Sequence, residues 1–346
     1  MLKIIMKNVL LTGANGFVGS HTLRHLLLNT DWNIVCPITY KYKGVQDRIR
    51  ISLDGIKDYS KRIKLINYDL SHPITNITSR EFGKINYVLN LASESHVDRS
   101  IENPSPFIVN NVQLICNLLD WARGCDYLEK FIHISTDEVY GPAPINHKHK
   151  EWEDLHFPSN PYSASKAAQE DIAYSYWRTY GVPLIITNTM NIIGEMQDPE
   201  KFIPSIIKKT LVGETVKLHG DFFGNFGSRF YLHARNQADA LLYILNNQNV
   251  NNYSSDNEIK VPEKFHIVGE KELNNLQMAE LVCNFMKMPL KYEVIDYKDK
   301  RPGHDLRYAL DGSKLENCGW KPPVLLEQSL EKTINWTLKN KEWLFL

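Results

Sequence analysis

The sequence has few cysteines, no excess of charge of either sign and no long apolar run. Its five cysteines are scattered and form no C-x-x-C pair, and Lys plus Arg equal Asp plus Glu at 40 each. These counts predict a reduced, cytoplasmic protein without a disulfide framework or a metal site. The charge balance gives no electrostatic reason to expect nucleic acid as a partner. No segment approaches the roughly 18 apolar residues of a membrane span, and the first residues lack a signal-peptide cleavage site, so we expect no membrane association.

Short β-branched runs alternate with helical patterns through the first half of the chain. This alternation is typical of an α/β fold with a parallel sheet. The pattern predicts six strands, at Asn8–Thr12, Asn33–Ile38, Ile63–Tyr68, Tyr87–Leu91, Lys130–Ser135 and Leu184–Asn188. It also predicts helices after the first strand to about Leu28, over about Ser105–Arg123 and over about Pro161–Tyr180.

Beyond Asn191 the elements become shorter and less regular. We therefore predict a large domain over residues 1–190 and a smaller α/β domain over 191–346, from which some segments return to the first domain. The Asn- and Ser-rich stretch Asn246–Asn257 is predicted to be an exposed loop.

Three glycines, Gly13, Gly16 and Gly19, follow the first strand directly and precede a helix. Glycines at such a turn let the backbone approach a pyrophosphate, and the helix N-terminus supplies amide donors, so the motif favours a dinucleotide. Taken alone, the motif is weak, because an ordinary strand-turn-helix connection is the alternative interpretation. Asp69, after the third strand, is placed either to meet the adenine edge or to cap a turn.

A second motif, Tyr162-x-x-x-Lys166, lies in a segment of helical periodicity. The i, i+4 spacing puts both side chains on one helix face, where the ammonium is expected to lower the pKa of the tyrosine. Ser135-Thr136-Asp137-Glu138 ends the fifth strand, where ligands of parallel sheets bind. Two adjacent carboxyl groups disfavour double ionisation, so one of them is expected to stay protonated near neutral pH. The alternative is that both acids only cap a helix or are solvated.

Together these motifs resemble the nucleotide-sugar branch of the extended short-chain dehydrogenases, and within it most of all the 4,6-dehydratases. The similar segments are Thr12–Ser20, Glu94–Ile101, Ser135–Gly141, Asn160–Lys166, Pro199–Pro204 and Arg301–Tyr308. The resemblance implies a Rossmann-like, doubly wound parallel sheet that binds NAD tightly, and a substrate that is a nucleoside-diphosphate hexose. It implies that Tyr162, Thr136 and Lys166 serve oxidation at C4. Glu138 then removes the C5 proton and Asp137 protonates the departing C6 hydroxyl.

The resemblance also implies two sets of binding residues. The expected cofactor contacts are Gly13, Asn15, Gly16, Phe17, Val18, Gly19, Thr39, Asp69, Leu70, Leu91, Ala92, Ser93, Asn111, Ser135, Tyr162 and Lys166. The expected substrate contacts are Ser95, Thr136, Asp137, Glu138, Asn191, Lys201, Arg229, Arg307 and Tyr308. Arg229 taken alone is more often a surface charge. The helices near 105–123 and 161–180 are expected to pair with a second copy into a four-helix bundle, giving a homodimer.

Several residues depart from the family pattern. Cys36 stands where the family has an acidic residue for the adenosine ribose, and Lys41 and Lys43 follow it, so NADP is not excluded as the cofactor. Gln237 replaces a family histidine. A nucleotide-sugar epimerase or decarboxylase, and a catalytically silent cofactor-sensing protein on the same fold, are the alternative functions. The Asp137-Glu138 doublet argues against the first alternative, and Thr136, Tyr162 and Lys166 argue against the second.

Overall fold

The computed structural model describes residues 6–41, 43–220, 224–251, 260–296 and 306–346. Within these ranges, no helix is both long enough and apolar enough to span a bilayer. The first five residues of the Arg301–Tyr308 segment, and the second half of the predicted 246–257 loop, lie outside the described residues.

Seven parallel strands form the central sheet, in the order β10-β6-β5-β4-β1-β2-β3. Strands β1 and β2 have the predicted bounds, and the other four predicted strands shift by one residue at their ends. The strands are β1 Asn8–Thr12, β2 Asn33–Ile38, β3 Ile63–Asn67, β4 Tyr87–Asn90, β5 Lys130–Thr136, β6 Leu184–Thr189 and β10 Glu263–Ile267. Every residue of β4 and β6 is buried, as expected of strands covered on both faces.

Helices cover both faces of this sheet. On one face, α1 packs against α2 and α8, and on the other α5 packs against α6. Each face has its own apolar core, the first around Leu23 and Leu241 and the second around Leu118 and Trp177. The helices of this part are α1 Phe17–Asn29, α2 Gln46–Leu53, α3 Asn76–Phe82, α4 Val97–Glu102, α5 Pro104–Ala122, α6 Pro161–Tyr180 and α8 Ala234–Asn247. The doubly wound α/β fold expected from the sequence is confirmed.

The remaining elements build a second layer. A three-stranded sheet in the order β11-β9-β7 and a parallel β8-β12 pair pack with three helices around a separate core that includes Ile207, Val282 and Leu330. These elements are β7 Asn191–Ile193, α7 Phe202–Leu211, β8 Val216–Gly220, β9 Ser228–His233, β11 Glu272–Asn274, α9 Asn275–Met286, β12 Tyr292–Asp296 and α11 Leu326–Lys339. The short helix α10, Ser313–Asn317, packs instead on β10 of the first layer. Short 3-10 turns lie at Tyr59–Lys61, Asp137–Tyr140 and Lys341–Phe345.

The chain crosses back to the first layer after residue 191. Strand β10 pairs in parallel with β6 at the sheet edge, and α8 packs on α1. Asn246 and Asn247, at the start of the predicted loop, are the last residues of α8. The division into domains at residue 190 stays a prediction.

Candidate active site

A cleft of about 330 Å³ opens where β1, β4, β5 and β6 end, at Gly13, Leu91, Thr136 and Thr189. A smaller pocket of about 150 Å³ adjoins it and shares Gly13 and Leu91 in its wall. Ligands of open parallel sheets bind outside the carboxyl ends of the strands, which is the position of both cavities. The cleft is also lined from the second layer, by residues such as Asn191 and Lys201.

The glycine-rich turn forms one wall of the cleft. Gly13 adopts a φ of 68°, in the left-handed region that favours glycine. At Gly19, a Cβ atom would lie 2.0 Å from the carbonyl oxygen of Gly13, so only glycine lets the helix begin so close to the strand. Helix α1 begins at Phe17 with no side-chain cap on its free amides. This wall therefore offers backbone donors and positive helix-end potential, which suit a pyrophosphate. Five of the predicted residues of this turn line the cleft, namely Gly13, Gly16, Phe17, Val18 and Gly19.

The smaller pocket extends the cleft away from β5, toward the ends of β2 and β3. Its wall includes the predicted residues Asn15, Thr39, Asp69, Leu70 and Ala92, and it shares Ser93 with the cleft. The Asn15 amide donates to the Thr39 carbonyl at 2.7 Å, which fixes the glycine turn against the end of β2. Asp69 pairs with Lys41 across the pocket. Burial alone would raise the pKa of Asp69, but hydrogen bonds from Lys41 and Ser71 outweigh it and lower the pKa.

The structure corrects the role given to Cys36. This residue lies inside β2, opposite Leu65 of β3, and is fully buried. The strand continues to Ile38, so Thr39 and not Cys36 reaches the pocket. The two lysines that had suggested NADP are both paired: Lys41 with Asp69, and Lys43 with carboxylates at 2.8 and 3.1 Å. The absence of an acid at position 36 therefore carries no information on cofactor choice.

Asn111 lines neither cavity. It is fully buried in α5, where its amide oxygen accepts from the Glu94 amide at 2.8 Å and its amide nitrogen donates to Ser165 at 2.9 Å. Its side chain therefore holds the loop after β4 against α6. The structure supports a positioning role for Asn111 and not the direct cofactor contact expected from the resemblance.

The carboxyl doublet lies at the centre of the cleft, where β5 ends and a 3-10 turn begins. The Thr136 hydroxyl donates to Asp137 Oδ1 at 2.9 Å and accepts from the Glu138 amide at 3.4 Å. Asp137 is 3% exposed, and its Oδ2 has no hydrogen-bond partner. Burial, and next the charge of Glu138, raise the pKa of Asp137 to about 7. The Glu138 carboxylate accepts from Asn160 at 3.2 Å. The doublet thus contains one carboxyl group that is substantially protonated at neutral pH, as the adjacent charges suggested.

Tyr162 and Lys166 both line the cleft from α6, but the predicted effect of the lysine on the tyrosine is wrong for this arrangement. Burial and the nearby Glu138 raise the pKa of Tyr162, although a hydrogen bond with Thr136 opposes them. The Lys166 ammonium instead donates to the Ile134 carbonyl at 2.8 Å and to Gln169 at 2.6 Å. Burial lowers the pKa of Lys166 to about 7. The i, i+4 spacing brings both groups to one face but leaves the direction of the long lysine side chain open.

Three predicted substrate residues surround the open side of the cleft. Ser95, Asn191 and Lys201 all line it, together with Thr136, Asp137 and Glu138. Lys201 Nζ donates to the Ser95 carbonyl at 3.3 Å, and burial lowers the pKa of the lysine. A cation in this position suits a diphosphate.

The other three predicted substrate residues do not line the cleft. Arg307 binds both oxygens of Glu272, at 2.8 and 3.1 Å, and donates to two loop carbonyls. Arg229 donates to the carbonyls of Ser228 and Leu306, and its guanidinium lies 4.3 Å from the centre of the Tyr308 ring. In this structure the donors of Arg307 hold the loop and the C-terminal segment together, and its contact with substrate stays a prediction. The charge of Arg229 opposes the rise in the pKa of Asp137.

Sequence reasoning missed a buried polar network behind the doublet. Asn188 of β6 donates to the Thr136 carbonyl at 3.0 Å and to Glu170 at 2.7 Å. Glu170 in turn pairs with Lys264 of β10 at 2.7 Å, and each of these two side chains is 1% exposed. The network holds the end of β5 from behind. The sequence signal for this network was weak. Glu170 lies in a predicted helix, where an acidic residue is usually solvated, and Lys264 lies in a segment for which no strand was predicted.

Gln237 also lines the cleft, from the first turn of α8. It is 1% exposed, and neither its amide oxygen nor its nitrogen has a hydrogen-bond partner. The sequence identified it only as a departure from the family pattern. Its position next to the glycine turn makes it available to a ligand in the cleft.

Comparison with known proteins agrees with this geometry. Residues 10–333 match the family described as GDP-mannose 4,6 dehydratase. The chain is 34% identical to a dTDP-glucose 4,6-dehydratase of Escherichia coli, over 97% of this chain and 94% of the relative. It is also 34% identical to a low-salt glycan biosynthesis protein of Haloferax volcanii, over 97% of this chain and all of the relative. A dTDP-glucose 4,6-dehydratase from Streptomyces venezuelae, solved with NAD bound, superposes with a TM-score of 0.84 at 30% identity, covering 97% and 98% of the two chains.

Proposed function

This chain belongs to the GDP-mannose 4,6-dehydratase family of extended short-chain dehydrogenases, and on that premise we propose how its residues dehydrate a nucleoside-diphosphate hexose. The product is a 4-keto-6-deoxy sugar nucleotide, and the enzyme is a hydro-lyase. The single observation that carries the proposal is the pair Asp137 and Glu138 at the end of β5, in the same cleft as Tyr162.

NAD is the cofactor that this cleft suits. The glycine turn and the N-terminus of α1 would hold its pyrophosphate, and the smaller pocket with Thr39 and Asp69 would hold the adenosine. Because Lys41 and Lys43 are engaged with carboxylates, neither is free to select the extra phosphate of NADP. When bound, NAD supplies the acceptor and later the donor of hydride.

The protein residues then move the protons. Tyr162, as its phenolate, would take the proton of the C4 hydroxyl, with the Thr136 hydroxyl hydrogen-bonded beside it. Burial and Glu138 favour the neutral phenol, and the positive charge of NAD, when bound, would favour the phenolate. The ketone formed at C4 acidifies the C5 hydrogen, which Glu138 removes as a general base. Asp137, which burial keeps protonated, donates to the C6 hydroxyl as it departs as water. Lys201 and Asn191 lie toward the open end of the cleft, where the diphosphate would be held.

Incubating the purified full chain with several nucleoside-diphosphate glucoses and analysing the products by mass spectrometry tests the proposal. We expect one substrate to lose a single water. An isomer of unchanged mass would favour an epimerase. Loss of carbon dioxide from a nucleoside-diphosphate glucuronic acid, included in a parallel incubation, would favour a decarboxylase, and no turnover of any substrate would favour a silent binding protein.

Variants of the doublet separate oxidation from elimination. In Glu138→Gln we expect a 4-keto hexose and reduced nicotinamide to accumulate without loss of water, because the C5 base is gone. In Asp137→Asn, elimination should slow while exchange of the C5 hydrogen with solvent deuterium persists. Glu81→Gln, at an exposed site on α3, is the matched control and should be fully active. Full dehydration by Glu138→Gln would show that the doublet is structural.

We further propose that two copies of the chain associate through α5 and α6. The two helices pack side by side, and their outer surface exposes Ile108, Val109 and Tyr180 to 37%, 61% and 49%. Trp121 and Trp177 of the same helices are buried in the core of the chain and do not contribute to this surface. A monomer mass by light scattering at micromolar concentration would contradict the dimer.

The five cysteines are all free in the structure, which supports a reducing compartment such as the cytoplasm.

A further inference from the structure

Two histidines and an aspartate converge on the loop that joins the catalytic 3-10 turn to α6. His147 Nε2 lies 2.8 Å from Asp154 Oδ1, and His149 Nδ1 lies 3.2 Å from the same oxygen. The three ligand atoms all lie within 4.8 Å of one another. The residues are separated from the cleft, and the reaction proposed above uses none of them.

The side chain of His149 is buried without hydrogen bonds to its ring nitrogens. It is 7% exposed, and neither of its ring nitrogens makes a hydrogen bond, although Nδ1 is close to Asp154. Its ring stacks on Tyr140 at a centroid distance of 5.2 Å. A buried imidazole with unmet polar atoms costs free energy unless another group binds it. The geometry directs Nδ1 at the point where the other two ligand atoms meet.

A second cluster in the chain, of His21, Glu195 and His233, is held by hydrogen bonds to its imidazole rings. His21 Nε2 lies 2.9 Å from the backbone carbonyl oxygen of Glu195, His233 Nε2 lies 2.9 Å from the Glu195 carboxylate, and His233 Nδ1 accepts from the Arg235 amide. Lys332 lies 3.8 Å from the same carboxylate. The imidazole nitrogens named in that cluster already have hydrogen-bond partners, whereas both ring nitrogens of His149 lack one.

We propose that His147, His149 and Asp154 bind a divalent transition metal of the zinc type. Two imidazole nitrogens and one carboxylate oxygen are ligands that Zn²⁺ prefers, with bonds of about 2.0–2.2 Å to each. Ligand atoms at these bond lengths lie about 3.3–3.6 Å apart in a tetrahedron. The 3.2 Å separation of His149 and Asp154 is close to that spacing, and the 2.8 Å hydrogen bond between His147 and Asp154 would have to lengthen by about half an ångström when the ion binds. His147 is 43% exposed, so the ion has an entry path and a fourth position open to water. The absence of cysteine pairs had predicted no metal, because that reasoning did not weigh the H-x-H spacing of His147 and His149.

The ion would join three parts of the fold. His149 donates its amide to the Ala309 carbonyl at 2.9 Å and accepts from the Asp311 amide at 2.8 Å, so it already pairs with the C-terminal segment. Through Tyr140 it contacts the 3-10 turn that carries the carboxyl doublet. A metal at this position therefore clamps the loop against both, and its effect on the fold can be measured without substrate.

Zinc titration of the untagged, chelator-treated full chain tests the proposal, with calorimetry for stoichiometry and thermal unfolding as a second measurement. We expect one equivalent to bind and to raise Tm. In His147→Ala and Asp154→Asn the affinity should fall more than about 100-fold, since even residues that only orient a ligand contribute about 10–100-fold. His72→Ala removes an exposed histidine elsewhere and should bind as the unaltered chain does.

Two results would overturn the site. The first is the absence of zinc binding above the level of the His147→Ala variant. The second is an equivalent of zinc that binds equally well to the unaltered chain and to His147→Ala and Asp154→Asn, which would place it at another group. Because His147 is partly exposed and its contacts through backbone atoms remain, circular dichroism of His147→Ala should match the unaltered chain and so exclude misfolding as the cause.

Discussion

Removing either member of the buried ion pair between Lys264 and Glu170 should destabilise the fold strongly, whereas removing both should not. The two side chains are each 1% exposed and lie 2.7 Å apart. Glu170 keeps further partners, Asn188 at 2.7 Å and His156 at 3.2 Å. Lys264 has aromatic neighbours instead, with its ammonium 4.8 Å from the centre of the Tyr140 ring.

The magnitude follows from this asymmetry. Breaking a buried pair by removing one partner costs about 3–5 kcal/mol, because the other charge stays buried without compensation. We expect Lys264→Met to cost about 3 kcal/mol, since the carboxylate of Glu170 keeps two partners. Glu170→Gln should cost about 5 kcal/mol, since the ammonium keeps only aromatic faces and a neutral amide. With about 2.1 cal/mol/K of unfolding entropy per residue over 346 residues, these costs correspond to Tm decreases of about 4 and 7 °C.

Thermal unfolding at one fixed protein concentration measures both variants and the double variant Lys264→Met/Glu170→Gln. The double variant leaves no unpaired charge and should lose less than about 2 kcal/mol, well below the sum of the single losses. Glu263→Gln, next to Lys264 but partly exposed, is the matched control and should change Tm little. Additive losses, or a Lys264→Met variant as stable as the unaltered chain, would refute the reasoning that the pair is a coupled, desolvated unit.

Three further predictions concern the site and its surroundings. Tyr162→Phe should reduce turnover by about 10²- to 10⁴-fold in a steady-state assay while calorimetry shows unchanged NAD binding, and activity near the unaltered level would remove Tyr162 from the mechanism. Gly19→Ala should weaken NAD binding at least tenfold by calorimetry, because its Cβ would lie 2.0 Å from a carbonyl oxygen of the same turn, and an unchanged affinity would contradict the close approach. Burial opposes the charged form of His156, but Asp171 and Glu170 outweigh it and raise its pKa to about 9. Its stabilisation is therefore complete below about pH 6.5 and lost as pH rises through 9, so the fall in Tm over that range should be smaller in His156→Gln.

Local patterns predicted much of this fold because they depend on neighbours in sequence. The bounds of β1, β2 and α6 follow from apolar runs and from Pro161 after the capping residue Asn160. Strand β10 was missed because its only partner in the sheet, β6, is far away in sequence. Pairing between strands so far apart in sequence depends on which strand at the edge of the sheet is left without a neighbour by the other strands.

The same distinction divides the site residues. The glycine turn, the doublet and Ser95 lie where strand ends and helix starts put them, and spacing alone placed them in the cleft. The arginines have long side chains whose donors choose among carbonyls and carboxylates from distant segments. Arg307 reaches Glu272 of β11, and nothing near either residue in the sequence indicated that pairing. Motif resemblance carries the position of a Cα atom, but the direction of a long side chain depends on the whole fold.

The two carboxyl groups of the doublet are adjacent in sequence yet occupy different environments. Asp137 is 3% exposed in the wall of the cleft, where one oxygen accepts from Thr136 and the other has no partner. Glu138 is less buried, and the amide of Asn160 donates to it. Desolvation therefore raises the pKa of Asp137 to about 7, so that this group is partly protonated near neutral pH. An elimination needs an acid and a base that act at neighbouring carbon atoms of the same substrate. The 3-10 turn that follows β5 supplies both from consecutive residues, because both side chains line the cleft while Asp137 is buried more deeply than Glu138.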